Sequence, residues 1–362
     1  MLIDVILEPG ADADTVCRVA ELAERHGLHG VWTSNFPAQR DPFMTLVAAA
    51  RATSRVRLGV MPWSPYEKHP VKLADSLLTL HDLSRGRASI LVGGMGKSVM
   101  RATGLTPVKR VTAVRECVAI LRGAIAASCG TATAAFSWRG SMYEAAQYSA
   151  PWAAGLPAPL IYIAANGPQM LQLAGEIGDG LMLSDVVEPH FPEVLGHVAR
   201  GLAKAGRSRE SLRLSNFFAW HVKEDRAAAV AEARCELVWR GALLRWHIAP
   251  YLAEDDIACV ERHWDRFLQA FLTRSPVIDG VPDRIVDALV AGLTFTGTSD
   301  AIPGIAARLI ALADLGQTEV ALRLFREPEA GVRLIGEALQ VALRQHSRSN
   351  AASVTSGWAV PD

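Results

Sequence analysis

LIYIAANGPQMLQLAGEIGDGLMLS, residues Leu160 to Ser184, is the stretch that decides the fold. Leu160 to Ala164 is an apolar run of strand length. Ala165-Asn166-Gly167-Pro168 is a turn in which glycine frees the backbone and proline suits the first helical position. A helical pattern follows, and Leu181 to Ser184 is a second apolar run. A strand, a helix and a strand in so short a span describe a parallel βαβ unit whose sheet is buried on both faces.

The same beat extends outward in both directions. Upstream, apolar runs at Leu2 to Leu7, Gly30 to Thr33, Arg57 to Met61 and Ala88 to Val92 alternate with helical patterns at Thr15 to His26, Asp41 to Thr53, Val71 to Leu83 and about Val108 to Ala127. Downstream, helices starting near Pro192 and Glu224 flank a seventh run, Leu212 to His221. A helix from Asp300 to Leu315, an eighth run from Glu319 to Leu324 and a last helix from Gly331 to Arg344 follow. Two stretches break the rhythm: about 130–157, rich in Thr, Ser, Gly and aromatics with a hairpin expected near Phe136 to Tyr143, and about 239–281, rich in Trp, His and Leu. The expectation is an α/β protein, a (β/α)8 TIM barrel with insertions after strands four and seven, in one domain over 1–346. The small, polar segment 347–362 is expected to be a disordered tail.

Half of the 362 residues are hydrophobic, enough for a large core, and 37 basic residues balance 37 acidic ones. Zero formal charge gives no reason to expect nucleic acid or an anionic membrane, so a small molecule is the expected partner. Cys17, Cys117, Cys129, Cys235 and Cys259 form no CxxC pair and read as buried small residues of a reducing compartment. The opening MLIDVILEPG lacks a basic region and is interrupted by Asp4, which reads as a first strand rather than a signal or span; a cytoplasmic protein is expected. The histidines show no HExxH pattern or ligand cluster, so no metal is expected.

Barrel enzymes carry their chemistry at the C-terminal ends of the strands. After strand one stands Glu8, a proton donor or acceptor if burial raises its pKa, or a solvated rim residue otherwise. After strand two, Ser34 and Asn35 can hydrogen-bond a planar heterocycle or simply shape a turn. Strand three ends in Met61-Pro62-Trp63-Ser64-Pro65-Tyr66, a stiff loop able to back a flat ring, in which a cis Met61-Pro62 bond is possible. Gly93 and Gly94 after strand four allow close approach of backbone to a ligand. Ala165, Asn166, Gly167 and Pro168 open a helix whose N-terminus favours a phosphate, or form a plain βα turn. His221 ends strand seven and is a candidate to face the pocket. His69 either meets a phosphate or caps its helix.

Taken in order, Arg57-Leu-Gly-Val-Met-Pro-Trp-Ser-Pro-Tyr-Glu-Lys-His-Pro70, Leu80-His-Asp-Leu-Ser-Arg-Gly-Arg-Ala88, and Ala165-Asn-Gly-Pro168 with Leu173-Ala-Gly-Glu-Ile-Gly-Asp-Gly180 resemble the luciferase-like monooxygenase superfamily. The likeness is strongest to its branch of coenzyme F-420-dependent methylenetetrahydromethanopterin reductases, from about residue 2 to 190 and again over 294–324. The resemblance implies a homodimeric TIM barrel holding coenzyme F-420 (8-hydroxy-5-deazaflavin) or FMN. The ring would lie against the strand-three bulge, with a cis peptide falling on Met61-Pro62, and the phosphate at Ala165, Asn166 and Gly167. Two departures stand out. Asn35-Phe36 replaces the Asp-His of many relatives, and Ile6 occupies the position of the reductase's proton-donating Glu, with Glu8 two residues further on the same face.

Three functions remain open on these residues. The first is hydride transfer between coenzyme F-420 and an imine, alkene or carbonyl, with Glu8, Asn35 and His221 as catalytic candidates and Ser34, Met61, Pro62, Gly93, Gly94, Ala165, Asn166, Gly167 and Pro168 holding the coenzyme. The second is an FMN-dependent monooxygenase. The third is a non-catalytic barrel subunit.

Overall fold

The computed structural model describes residues 1–130 and 134–345, except the side chains of 97 and 98; the expected tail, 347–362, lies outside the described residues. Eight parallel strands form the barrel: β1 (Leu2–Leu7), β2 (Gly30–Ser34), β3 (Arg57–Trp63), β4 (Ala88–Val92), β5 (Leu160–Ala164), β6 (Gly180–Ser184), β7 (Arg213–Val222) and β8 (Glu319–Leu324). Each pairs with the next, and β8 pairs with β1 to close the ring. Their outward Val, Ile and Leu side chains pack under the helices in one large core, including Val5, Val31, Leu58, Ile90, Ile163, Leu181 and Leu322.

The helices begin and end where local chemistry requires. Asp12 caps Ala13–His26 by accepting from the Thr15 amide at 2.7 Å, and Gly27 ends it at φ 70°. His69 caps Pro70–Leu83 through Nδ1, which accepts from the Val71 amide at 3.3 Å, so it serves as a cap. The helix expected over Asp41 to Thr53 is instead two, Pro42–Thr45 and Val47–Ala52. The helix Asp283–Leu293 and a short strand, Thr294–Gly297, which pairs parallel with Ala219 to Val222 of β7, do not stand out in the sequence rhythm.

The stretch after β4 contains the hairpin Phe136–Arg139 and Glu144–Tyr148, tied to the helix Arg110–Cys129 by Glu116, whose carboxylate accepts from the amides of Ser141, Met142 and Tyr143. The stretch after β7 contains Arg245–Ile248, Glu254–Arg262 and Trp264–Thr273, which share a satellite core with Asp283–Leu293 through Ile248, Ile257, Phe267 and Leu289.

Inside the ring, strand alternation turns one residue in two toward the axis. The lower layers are polar and aromatic. Asp4 accepts from the Trp32 indole at 2.7 Å and meets His29 Nδ1 at 2.8 Å, while Glu319 joins Arg213 at 2.6 Å and the Tyr162 hydroxyl at 2.8 Å. Trp32 and Tyr162 meet edge to face at 5.3 Å. Glycine on the neighbouring strand makes room for each ring: a Cβ at Gly59 would lie 2.1 Å from Trp32, and one at Gly180 would lie 2.2 Å from Tyr162. Above them Ile6, Met61, Leu91, Met182 and Ala321 seal the axis. The barrel is a filled core with a floor, and only its C-terminal mouth is left for chemistry.

Candidate active site

The mouth has two unlike halves. On the β3–β5 side it is lined by small residues. The ladder between β3 and β4 shifts register between Val60 and Trp63, so the strand-three bulge is present. There is no cis peptide bond among the described residues, which corrects the expectation for Met61-Pro62. Met61 is buried and packs into the barrel's inner cluster, whereas Pro62 is exposed at the rim. A Cβ at Gly93 would come within 2.9 Å of the Ala164 methyl, while nothing lies within 4 Å of such an atom at Gly94 or Gly167. Ala165 is buried, Pro168 is exposed, and the helix Pro168–Ile177 starts at Gly167 with no side chain capping its amides. Unhindered backbone beside an uncapped helix N-terminus fits a flat ring with a phosphate-bearing tail.

Two side chains expected to touch a coenzyme are committed to the frame. The Ser34 hydroxyl donates to the Leu7 carbonyl at 2.7 Å. The Asn166 amide accepts from the Ser184 amide at 3.0 Å and donates to the Ser184 carbonyl at 2.9 Å, locking the end of β5 to the end of β6. Asn35 also braces the frame. Its backbone N–H donates to the Met61 carbonyl at 2.6 Å, and Nδ2 reaches the Pro62 carbonyl at 3.3 Å and both Glu67 carboxylate oxygens at 3.2 Å. Glu67 also accepts from the Ser64 amide at 2.8 Å; burial raises its pKa, against the pull of these hydrogen bonds. Asn35 and Glu67 together hold the bulge.

The β6–β1 half is polar and roofed. Residues 240–247 reach across it. Asp185, in the left-handed region at φ 55°, accepts from Arg240 at 3.1 Å and from the Gly241 amide at 3.0 Å, and both side chains of this ion pair are almost wholly buried. His247 Nε2 lies 3.3 Å from Asn166 Nδ2, and Trp246 stacks on His190 at 3.9 Å. His221 is fully buried, stacked on Phe325 at 4.4 Å, with Nδ1 2.9 Å from Glu232, whose other oxygen lies 3.1 Å from Lys223. Burial pushes its pKa down to about 4. The ring is therefore neutral at physiological pH, with Nδ1–H assigned as donor to Glu232 and Nε2 left as an acceptor without a partner among the described residues. Glu8 projects from the end of β1 on the same inward face as Asp4 and Ile6. Burial raises the pKa of its carboxyl, and Arg323 pulls the other way.

With this geometry in view, the sequence matches the luciferase-like monooxygenase family over residues 3–319. The chain belongs to that family. It is 26% identical over 332 residues to the 5,10-methylenetetrahydromethanopterin reductase of Methanolobus tindarius, covering 90% of this chain and 95% of the relative. It is 27% identical to the enzyme of the same name from Archaeoglobus fulgidus, covering 88% and 92%. The fold superposes with a TM-score of 0.75 on the coenzyme F-420-dependent tetrahydromethanopterin reductase of Methanopyrus kandleri, at 20% identity and covering 94% and 99% of the two chains.

This luciferase-like barrel thus brings Glu8 and His221 to one half of the mouth and Met61, Pro62, Gly93, Gly94, Ala165, Gly167 and Pro168 to the other. Sequence reasoning missed Glu67, Asp185, Glu232, Arg240 and Arg323. A signal existed only for Arg323: in Glu319-Val-Ala-Leu-Arg-Leu324 the charges alternate with apolar residues at strand period, on the face that turns inward.

Proposed function

We propose that this chain binds coenzyme F-420 in the barrel mouth and catalyses hydride transfer between it and a small organic substrate, an imine, alkene or carbonyl compound. The observation that carries this reading is the match along nine-tenths of the chain to reductases of one name. The unhindered backbone at Gly94 and Gly167, the close approach of Gly93 to Ala164 that excludes a side chain, and the uncapped helix at Pro168 suit the coenzyme's ring and phosphate. The bound reduced deazaflavin supplies the hydride.

The chain's own residues do the rest. Asn35 and Glu67 hold the bulge that backs the ring, with Met61 and Pro62 at its contact surface. Ser34 and Asn166 fix the strand ends, so their hold on the coenzyme is indirect. Glu8, protonated to higher pH than an ordinary carboxyl, delivers a proton to the substrate atom that gains electron density. His221, fully buried and stacked on Phe325, acts on the substrate indirectly, through the Phe325 ring and the Glu232 carboxylate that it holds. A second reading, an FMN-dependent monooxygenase using dioxygen, is favoured by the family's own description.

Titration of the purified protein with coenzyme F-420 and, separately, with FMN, followed by coenzyme fluorescence, tests the choice. Tighter binding of the deazaflavin supports hydride transfer; preference for FMN overturns it in favour of oxygen chemistry; affinity for neither points to a non-catalytic barrel. We further propose a cytoplasmic homodimer. The five free cysteines fit a reducing compartment, and the dimer is what the resemblance to the family implies. Light scattering on the eluted protein checks the dimer.

A further inference from the structure

The polar half of the mouth holds a positive charge that no described residue pairs by hydrogen bond or ion pair. Arg323 is the third inward-facing residue of β8, after Glu319 and Ala321. Glu319, at the bottom, is bound by Arg213 and Tyr162. The Arg323 guanidinium has no hydrogen bond and no ion pair with any described residue, and its Nε is shut off from solvent without a partner. The Phe325 ring lies 5.6 Å from the guanidinium carbon, and Arg240, Glu8, Glu236 and Asp185 act on it through their charges without a direct contact.

The other cations of this region are matched: Arg240 by Asp185, Arg274 by Glu236 and Lys223 by Glu232. Glu8 is the natural partner for Arg323. Ile6 is in register with Arg323 across the β1–β8 ladder, and Glu8 stands two residues further along the same face. The two feel each other's charge without forming an ion pair. A guanidinium keeps its proton, and leaving one half-buried and unpaired carries a cost that a ligand removes by completing it. Its fork of donors matches the two oxygens of a carboxylate or phosphate.

That oxyanion is not the coenzyme's phosphate on the reading above. In the closed ring β8 lies opposite β4, and β1 opposite β5, so the helix at Pro168 faces Arg323 from across the mouth. We propose that Arg323 anchors an oxyanion carried by the substrate, a carboxylate or a phosphate, so that the substrate spans the mouth from Arg323 and Glu8 to the ring-binding half. The substrate class is therefore an unsaturated, imino or oxo compound bearing an acidic group. This inference rests on the proposed coenzyme site for its orientation, but its test does not.

Wild-type protein, Arg323→Gln and Arg323→Lys are titrated calorimetrically with inorganic phosphate and with but-2-enoate, and separately with coenzyme F-420. Near-UV circular dichroism checks each fold. Wild type is expected to bind at least one anion, with the tighter of the two naming the acidic group. Arg323→Gln weakens that anion by at least about tenfold, and Arg323→Lys, which keeps the charge and loses the fork, falls between. Coenzyme affinity stays within about twofold in both variants, because no coenzyme contact is removed. Equal anion affinity in wild type and a folded variant, no anion binding by wild type, or a loss of coenzyme affinity on substitution would overturn the assignment. If Arg323→Gln does not fold, Arg323→Lys decides on the same criteria. Arg323-dependent anion binding without coenzyme binding leaves the oxyanion site standing and removes the coenzyme reading.

Discussion

Gly59→Ala probes the floor on which the mouth is built. The added methyl would sit 2.1 Å from Cε3 and 2.3 Å from Cδ2 of Trp32. Carbon atoms in contact prefer about 3.5–4.0 Å, so the indole has to retreat by roughly 1.5 Å. It cannot do so freely. Its N–H donates to Asp4 at 2.7 Å, and its other side meets Tyr162 edge to face. Overpacking of a filled core costs about 1–3 kcal/mol, and a broken hydrogen bond to a charged group adds about 1.5–3 kcal/mol, so a loss of about 2.5–6 kcal/mol is expected. At about 2 °C per kcal/mol for a chain of this size, the melting temperature falls by about 5–12 °C. Ser34 and Met61 are the next inward residues above Trp32 and Gly59 in the same ladder, so coenzyme affinity falls with stability. Urea unfolding followed by far-UV circular dichroism measures the cost. Trp32→Phe trims the clashing part of the ring, so the double variant is more stable than the two single losses predict, by at least about 1 kcal/mol. A Gly59→Ala protein within about 0.5 kcal/mol of wild type, or strict additivity with Trp32→Phe, would refute the reasoning.

Two further outcomes concern the mouth. Glu8→Gln lowers turnover by about 10²–10⁴-fold with coenzyme affinity unchanged, and wild-type turnover falls as pH rises through the raised Glu8 pKa, because only the protonated carboxyl donates; steady-state rates across pH, for both proteins, decide it, and a Gln variant within twofold of wild type counts against the role. His221 has a folded-state pKa of about 4 against an ordinary 6.5, so the unfolded chain takes up a proton first on acidification. The stability this residue contributes is present above about pH 6.5 and is lost as pH falls toward 4, by about 3 kcal/mol. Urea midpoints at pH 7 and pH 4.5 for wild type and His221→Gln measure it, and equal acid sensitivity in the two would rule His221 out as the cause.

The barrel was legible because its strands are buried on both faces, which writes each of them as an apolar run that needs no knowledge of its neighbours. The missing elements were those without that signature. Thr294–Gly297 is short, and the helix before it belongs to the satellite core rather than to the barrel's rhythm. At the site, residues next to a strand end were found because position alone marks them, as with Glu8, Gly93 and Gly167. What they do depends on partners far along the chain. Asn35 looks like a ring-binding amide until Glu67 closes on it from 32 residues away.

The inward faces of β1 and β8 carry this furthest. Asp4, Glu8, Glu319 and Arg323 all break the apolar run at strand period, so the sequence marks each as facing either the axis or a helix, without saying which. Closure of the ring assigns them to the axis and then divides them. Asp4 and Glu319 find Trp32, Arg213 and Tyr162 and become floor. Glu8 and Arg323, two inward residues further along their strands, feel each other's charge, but the Arg323 guanidinium has no hydrogen-bond or ion-pair partner among the described residues. A fold that pairs the charges at the bottom of its barrel and leaves Arg323 without a hydrogen-bond partner at the C-terminal end has placed the demand for one on the side where barrel enzymes bind their ligands, and that contrast is what assigns the substrate's acidic end to Arg323.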